Sequence, residues 1–372
     1  MSPLNKFSDY VRPITNFVNY SKSLFLFLII LSTSALAKNP NTPKLKVLAF
    51  GDFGEVTREN QMIVKKLIAK DHLNYAYNLG IVLGDNFYPY GVDSVDDPQF
   101  IEKFVDIYQD LNFPFFPVLG NHDYGCHGVD EFGDWKAQIN FSNHVDNPRV
   151  GDLRLWNMPS RFYNFNAGKD VEFFAIDTDP ALNSRFNKFE DSGLESKSYW
   201  DQQMDWLSDK LKNSKSIWKV VYGHHPLISD GKNNDTQELL GVGKTDSANL
   251  FKILCESADM YIAGHEHSLQ VFNLDCGHIH KDPLPQIVSG AAGNHSMARQ
   301  FYEKRSDFQS NALGFISLIF SEKTISAEVN EAINTGAGPE LKKTQFDFKN
   351  RTKSNKNPFR KFNEMLMPYF YN

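Results

Sequence analysis

From position 45 the chain alternates short apolar runs with polar breaks, and several breaks begin with glycine. The runs 45–50 (LKVLAF), 81–83 (IVL), 115–119 (FFPVL), 171–176 (VEFFAI), 218–222 (WKVVY), 260–263 (MYIA) and 286–288 (QIV) have the length and the β-branched or aromatic content of strands. Between several of them, in 60–70, 99–111, 199–212 and 247–256, apolar residues recur at helical spacing with charges on the other face. Strand, polar turn, helix, strand is the pattern of an α/β domain on a mainly parallel sheet. The late runs 314–320 and 324–329 have no helix between them. They read as an antiparallel pair in a second sheet packed on the first. From Leu341 onward Lys, Arg and Asn are abundant, which reads as a basic tail at the surface. No internal repeat and no long linker divides the chain.

In parallel sheets function collects beyond the carboxyl ends of the strands, and the polar breaks stand there. They supply Asp52, then Asp85 and Tyr88, then Asn121 and His122, then His224, then His265 and His267. Each alone has an ordinary reading: a turn aspartate, a packed tyrosine with its hydroxyl satisfied, a Gly-Asn turn. Together they form a set of carboxylate, phenol, amide and imidazole donors without cysteine, which suits hard or borderline metals such as iron, manganese or zinc. If one sheet edge collects them all, each needs a partner once water is excluded, and metal ions supply that partner. His265 and His267 alternate on an extended segment, so both rings can face one way. A zinc-only site is the simpler rival to a mixed pair. His127, His144, His278, His280 and His295 are expected at the surface or in the core, and Asp177 is expected either to support a ligand from behind or to be structural.

Composition narrows the class further. Net charge is −6, so there is no overall basic field to attract nucleic acid. Near the start, Lys6, Arg12 and Lys22 precede an apolar run at 24–31, followed by Ala35-Leu36-Ala37. That is the form of a secretory signal over 1–37, with an uncleaved anchor as the alternative. Positions 38–43 read as a short linker, 44–346 as the catalytic domain and 347–372 as the basic tail. No later stretch is expected to enter a membrane, which points to a secreted or periplasmic protein. Three cysteines are too few for a disulfide scaffold. Cys255 and Cys276 fit either a disulfide in an oxidising compartment or free thiols, with Cys126 left over.

The ordered motifs Gly51-Asp52-Phe53-Gly54, Gly84-Asp85-Asn86-Phe87-Tyr88, Gly120-Asn121-His122-Asp123, Gly223-His224 and Gly264-His265-Glu266-His267 resemble those of the purple acid phosphatases within the calcineurin-like metallophosphoesterases. The small tartrate-resistant type looks most similar, over roughly 44–346. The resemblance implies an αββα sandwich of two mixed sheets flanked by helices. It also implies Fe(III) held by Asp52, Tyr88 and His267, a divalent iron, zinc or manganese held by Asn121, His224 and His265, and Asp85 between the two. Most metallophosphoesterases begin with D-x-H; here the third position is Gly54, and the resemblance gives its part to Tyr88. The metals bring about +5 and the anionic side chains about −3, so about +2 remains to attract a phosphate dianion. A trivalent ion arms water in acid better than zinc does, so an acid optimum is expected.

The expected reaction is hydrolysis of a small phosphomonoester or a phosphoprotein by metal-bound hydroxide, with His122 contacting the phosphate or protonating the leaving group and Asp123 orienting His122. Tartrate-resistant relatives carry a second catalytic histidine in the loop after the fourth motif; here 226–234 has none. His225 is expected to face away from the site, since neighbours on a strand point to opposite sides. Two rivals accompany this reading: a phosphodiesterase or nucleotide pyrophosphatase on the same metals, and a non-catalytic metal- or partner-binding protein.

Overall fold

The computed structural model describes residues 45–54, 58–125, 133–182, 198–231, 250–294, 304–336 and 338–352. The expected signal and linker, Cys126, His127, His295 and 353–372 lie outside the described residues.

Two sheets carry the fold. In the first the strand order is β15-β14-β13-β1-β2-β3. Here β1 is Leu45–Phe50, β2 Leu79–Val82, β3 Phe115–Pro117, β13 Gly314–Phe320, β14 Thr324–Asn334 and β15 Pro339–Lys349. Strands β1, β2 and β3 run parallel; the other three are antiparallel. In the second sheet the order is β12-β10-β11-β9-β8-β7-β6. Its strands are β6 Tyr163–Ala167, β7 Val171–Ala175, β8 Trp218–Tyr222, β9 Met260–Ala263, β10 Leu269–Leu274, β11 Leu284–Ser289 and β12 Phe308–Ser310. The central four, β7, β8, β9 and β11, are parallel. A small hairpin, β4 Arg149–Val150 with β5 Leu153–Arg154, completes the strands among the described residues.

Alternation along these strands builds the layers. Phe173, Val220 and Ile262 of the second sheet share one buried cluster with Val47, Ile81 and Leu318 of the first. Their chain neighbours Phe174, Val221 and Tyr261 point the other way, into a cluster with Met204 and Leu207 of the helix Tyr199–Asn213 and Leu254 of the helix Leu250–Ser257. The helix Arg58–Asn74 contributes Val64, Leu67 and Ile68 to the first cluster. The result is the expected αββα sandwich of two mixed sheets.

Two expectations change. The late pair does not belong to a second sheet: β13 lies directly against β1, with Val47 opposite Leu318, and so closes the edge that β1 would otherwise expose. The stretch after Leu341 is not a free tail as far as Thr352. It pairs with β14 as an edge strand, and its alternating charges (Glu340, Lys342, Lys343, Asp347) keep that edge wet. Arg351 then turns inward and donates to the carbonyls of Ala258 and Cys255, at the end of the helix Leu250–Ser257. Cys255 and Cys276 are joined, with an S–S distance of 2.05 Å, which settles the alternative left open by the sequence.

Candidate metal centre

The cage is built from both sheets. Beyond β1, β2 and β3 stand Asp52, Asp85 and Asn121; beyond β8 and β9 stand His224, His265 and His267. Backbone bonds tie these turns to one another and to the second sheet: Gly51 N–H donates to Ser289 O at 2.9 Å, Asp52 N–H to Gly84 O at 3.1 Å and Asn294 N–H to Asp52 O at 2.8 Å. Of the four non-glycine residues with left-handed backbone among those described, three are Asp52 (φ 58°), Asp85 (φ 50°) and His265 (φ 64°). Such conformations cost roughly 1–2 kcal/mol each. Their concentration here marks a site that the surrounding fold holds against local preference.

Glycine is required where these turns touch. A Cβ on Gly120 would come 2.3 Å from both N and Oδ1 of Asp85. At Gly54 a Cβ would lie 1.9 Å from the Asn86 carbonyl oxygen, so the turn has no room for a side chain there. The adjoining space belongs to Tyr88, whose N–H donates to Gly54 O.

The seven residues singled out as donors are brought together in two groups. In one, the Tyr88 hydroxyl oxygen lies 3.2 Å from Asp52 Oδ1, 3.2 Å from His267 Nε2 and 2.9 Å from Asp85 Oδ2. In the other, His224 Nε2 lies 3.1 Å from Asn121 Oδ1, 3.1 Å from His265 Nδ1 and 3.3 Å from Asp85 Oδ1. Asp85 thus turns one oxygen to each group. Acceptor atoms of Asp52, Asp85 and His224 all fall within 4.8 Å of one another.

Counting protons shows what the cage lacks. His224 Nδ1 is 2.7 Å from the Leu83 carbonyl, which only accepts, so the ring proton is there and Nε2 presents a lone pair. That lone pair meets Asn121 Oδ1 and Asp85 Oδ1, which also only accept. A cation must sit among them. In its absence a proton does: burial lowers the His224 pKa, but the Asp85 carboxylate overrides this and pushes it up to about 10. Burial likewise raises Asp85, yet the imidazoles of His224, His122 and His265 hold it well below the usual carboxylate range. His265 goes well below its ordinary value because of burial and the neighbouring His224. Burial, then Asp85 and Asp52, keep the Tyr88 phenol protonated far above its normal range. A pair of metal ions would answer all four strains, so the donor set fits them.

Around the cage, three findings differ from or add to the sequence reading. Asp123 does not reach the His122 ring. Its carboxylate accepts from the backbone N–H groups of Asn86, Phe87 and Gly120 and from the Gln138 amide, so it braces the two turns that carry Asp85 and Asn121. Burial and the charge of Asp85 push it up to about 7. His122 is instead set by Pro89, whose carbonyl is 2.7 Å from Nδ1, and by its own N–H on Asp85 Oδ1 at 2.9 Å. Only half-buried, it stands on the open side, with its ring 4.3 Å from that of Tyr88.

His225 does not face away. Its ring packs 4.4 Å from that of His265, and a ring nitrogen falls within 4.8 Å of those of His224 and His265. The strand β8 ends at Tyr222, so strand alternation no longer applies. Asp179, which no motif contains, is fully buried with neither carboxyl oxygen bonded. Burial and Asp177 push it up to about 8. Asp177 is structural, paired with Arg161 Nη2 at 2.8 Å. His144, His278 and His280 lie away from the cage at the surface or partly buried.

A fold of two mixed sheets whose strand ends converge on two adjoining donor groups defines a binuclear phosphoesterase scaffold. The family model of the calcineurin-like phosphoesterases matches residues 45–269. Purple acid phosphatase 7 of Arabidopsis thaliana is 30% identical over 285 residues, covering 73% of this chain and 78% of the relative. Tartrate-resistant acid phosphatase type 5 of Oryctolagus cuniculus is 30% identical over 282 residues, covering 71% and 78%. Among solved structures, GAP50, the anchor in the inner membrane complex of Plasmodium, superposes with a TM-score of 0.63 at 22% identity, covering 85% of this chain and 91% of that one. That last likeness speaks for the fold alone. The chain belongs to the calcineurin-like phosphoesterases and, within them, to the purple acid phosphatases.

Proposed function

We propose that this chain is a binuclear-metal acid phosphatase that hydrolyses phosphate monoesters, with the cage as its active centre. The observation that carries this reading is the split of Asp85, one oxygen to each donor group, with His224 Nε2 turned onto groups that only accept. Asp52, Tyr88 and His267 would hold Fe(III); Asn121, His224 and His265 would hold a divalent iron, zinc or manganese; Asp85 would serve both. When bound, the ions supply Lewis-acid charge for the phosphoryl oxygens and lower the pKa of water.

The chain's own residues do the rest. Leu83 and Asp85 fix the tautomer and tilt of His224. The Pro89 carbonyl accepts from His122 Nδ1–H, which leaves Nε2 to the substrate; with that nitrogen protonated as well, the ring can contact the phosphate and pass the Nε2 proton to the leaving oxygen. Asp123 acts through the turns and not on His122. The half-buried rings of His122 and His265 mark the side from which substrate enters. Suitable substrates are small phosphomonoesters or phosphoproteins. The Cys255–Cys276 disulfide and the signal-like start support work outside the cytoplasm. Among the described residues no helix is long and apolar enough to cross a membrane.

The test is metal analysis of the purified protein, followed by side-by-side hydrolysis of p-nitrophenyl phosphate and bis(p-nitrophenyl) phosphate across pH. Two metals per chain and a monoester preference with an acid optimum are expected. A diester preference would move the assignment to the phosphodiesterase rival. No turnover after loading with iron and zinc would leave a binding protein.

A further inference from the structure

We propose that Lys103 is a positioning residue of this centre: it clamps the carbonyls of Gly54 and Tyr88 and so fixes the two turns that bring Asp52 and Tyr88 to one metal ion. The inference rests on the function proposed above.

No motif contains Lys103, which lies 49 residues past Gly54 and 15 past Tyr88. Its Nζ donates to Gly54 O at 3.1 Å and to Tyr88 O at 2.8 Å. The same Gly54 oxygen accepts the Tyr88 N–H at 3.2 Å. Three hydrogen bonds therefore join the turn after β1, the turn after β2 and the lysine. Gly54 stands two positions after Asp52, so the clamp acts on the main chain of two of the three donors in the Tyr88 group. A protonated amine has no lone pair, so Lys103 holds the turns without competing for a metal.

The clamp has firm support. Lys103 belongs to a π-helical turn, Ile101–Val105, of a kind that recurs at functional sites. Its carbonyl accepts from Gln61 Nε2, in the helix Arg58–Asn74, at 2.8 Å. The next residue, Phe104, is fully buried with its ring 6.1 Å from that of Phe53, which stands between Asp52 and Gly54. Lys103 and Phe104 thus grip Gly54 and Phe53, one by hydrogen bonding and one by packing. The local backbone needs such a grip. Asp52 has a left-handed φ of 58°, and Tyr88 must keep its hydroxyl 3.2 Å from both Asp52 Oδ1 and His267 Nε2. Outer partners that orient metal donors are worth about 10- to 100-fold in metal affinity or activity. Among the described residues Lys103 makes no bond to Asn121, His224 or His265, so its effect is confined to one of the two ions.

The test uses the full chain loaded with iron and zinc. The protein is challenged with EDTA, release of each metal is followed by metal analysis, and the visible band is recorded beforehand. Lys103→Met is expected to release iron about tenfold faster and to shift the phenolate-to-iron band, with zinc release and melting temperature little changed. Lys103→Gln, whose amide can still donate to a carbonyl, should recover part of the loss and release iron about threefold faster than wild type. Unchanged iron release in Lys103→Met overturns the proposal. So does equal acceleration of both metals, which would make Lys103 a general brace of the fold. Should Lys103→Met not fold, Lys103→Gln is read in its place, and unchanged iron release there overturns the proposal as well. A wild-type protein that takes up no metal overturns this inference together with the function beneath it, whereas metal uptake and hydrolysis without a Lys103 effect sink this inference alone.

Discussion

Strand β1 has a buried charge cluster at each end, and the two are built on opposite terms. Near its start, Lys46 donates to Asp71 Oδ2 at 2.7 Å and to the Tyr75 carbonyl at 3.0 Å. Lys343 adds a second ammonium on Asp71 Oδ1, the Tyr77 hydroxyl reaches Oδ2, and the Asn330 amide reaches Ser317 beside them. Burial raises Asp71, but Lys343 and Lys46 more than offset it, and its pKa is lowered. Beyond the other end, Asp52, Asp85, Asn121 and His224 crowd acceptors together with too few protons. A buried network in which donors match acceptors is a brace; one with surplus acceptors is a receptacle for cations. Both are buried around carboxylates, but the first sets two ammonium groups against Asp71, whereas the second gathers Asp52 and Asp85. What separates structure from function is the proton count.

The comparison can be broken in several ways. The largest effect is expected from Asp85→Asn, which removes the carboxylate common to both donor groups. Metal content should fall below two per chain and phosphatase kcat by about a thousandfold or more, read by metal analysis and steady-state kinetics. Lys46→Met should do the reverse. It leaves Asp71 short of a buried partner and costs about 3 kcal/mol in urea unfolding, with metal content and kcat/KM unchanged. Loss of metal in Lys46→Met would show that the two ends of β1 are not independent.

Removing the metals sharpens the contrast through pH. In the metal-free protein His224 is raised from 6.5 to about 10, so it stabilises the fold fully below about pH 6.5 and ceases to do so as pH rises through about 10. Metal-free protein should therefore lose melting temperature over that window, and metal-loaded protein should lose less, because the ion takes the proton's place. Asp179, raised to about 8, adds to the decline between about pH 4 and 8 in both forms. Asp71 acts with the opposite sign: its lowered pKa gives stability above the normal carboxylate range that is lost as pH falls through it. The smallest effect is on rate. Tyr88→Phe should abolish a visible phenolate-to-iron band while reducing kcat about tenfold. A coloured, iron-loaded variant would remove Tyr88 from the iron half.

Much of this was legible in the sequence, for reasons that differ by element. The runs 45–50, 218–222 and 260–263 coincide with β1, β8 and β9, because buried parallel strands are short, apolar and stopped by glycine. Five of the seven candidate donors directly follow such a glycine, and Tyr88 and His267 stand three and two positions after Asp85 and His265. Other features depended on which strand meets which. The motifs belong to two sheets and not one, so the cage lies where two sets of strand ends converge. The segment after Leu341 reads as a tail by its charge, yet β14 offers an open edge and turns it into a strand. Asp123 looks like a partner of His122 by adjacency, but the N–H groups of Asn86, Phe87 and Gly120 claim it first. Asp179 carries no local signal at all.

Sequence alone therefore determined the inventory: which donors exist, that glycine precedes Asp52, Asp85, Asn121, His224 and His265, and that position 54 offers no imidazole. Residue chemistry and local backbone freedom are properties of short segments, and they survive without the fold. Tertiary structure decided the division of labour: which oxygen of Asp85 faces which group, and which nitrogen of His224 faces the Leu83 carbonyl. The latter hangs on the Leu83 carbonyl, 141 residues away in sequence, because a proton's place is set by the nearest acceptor in space.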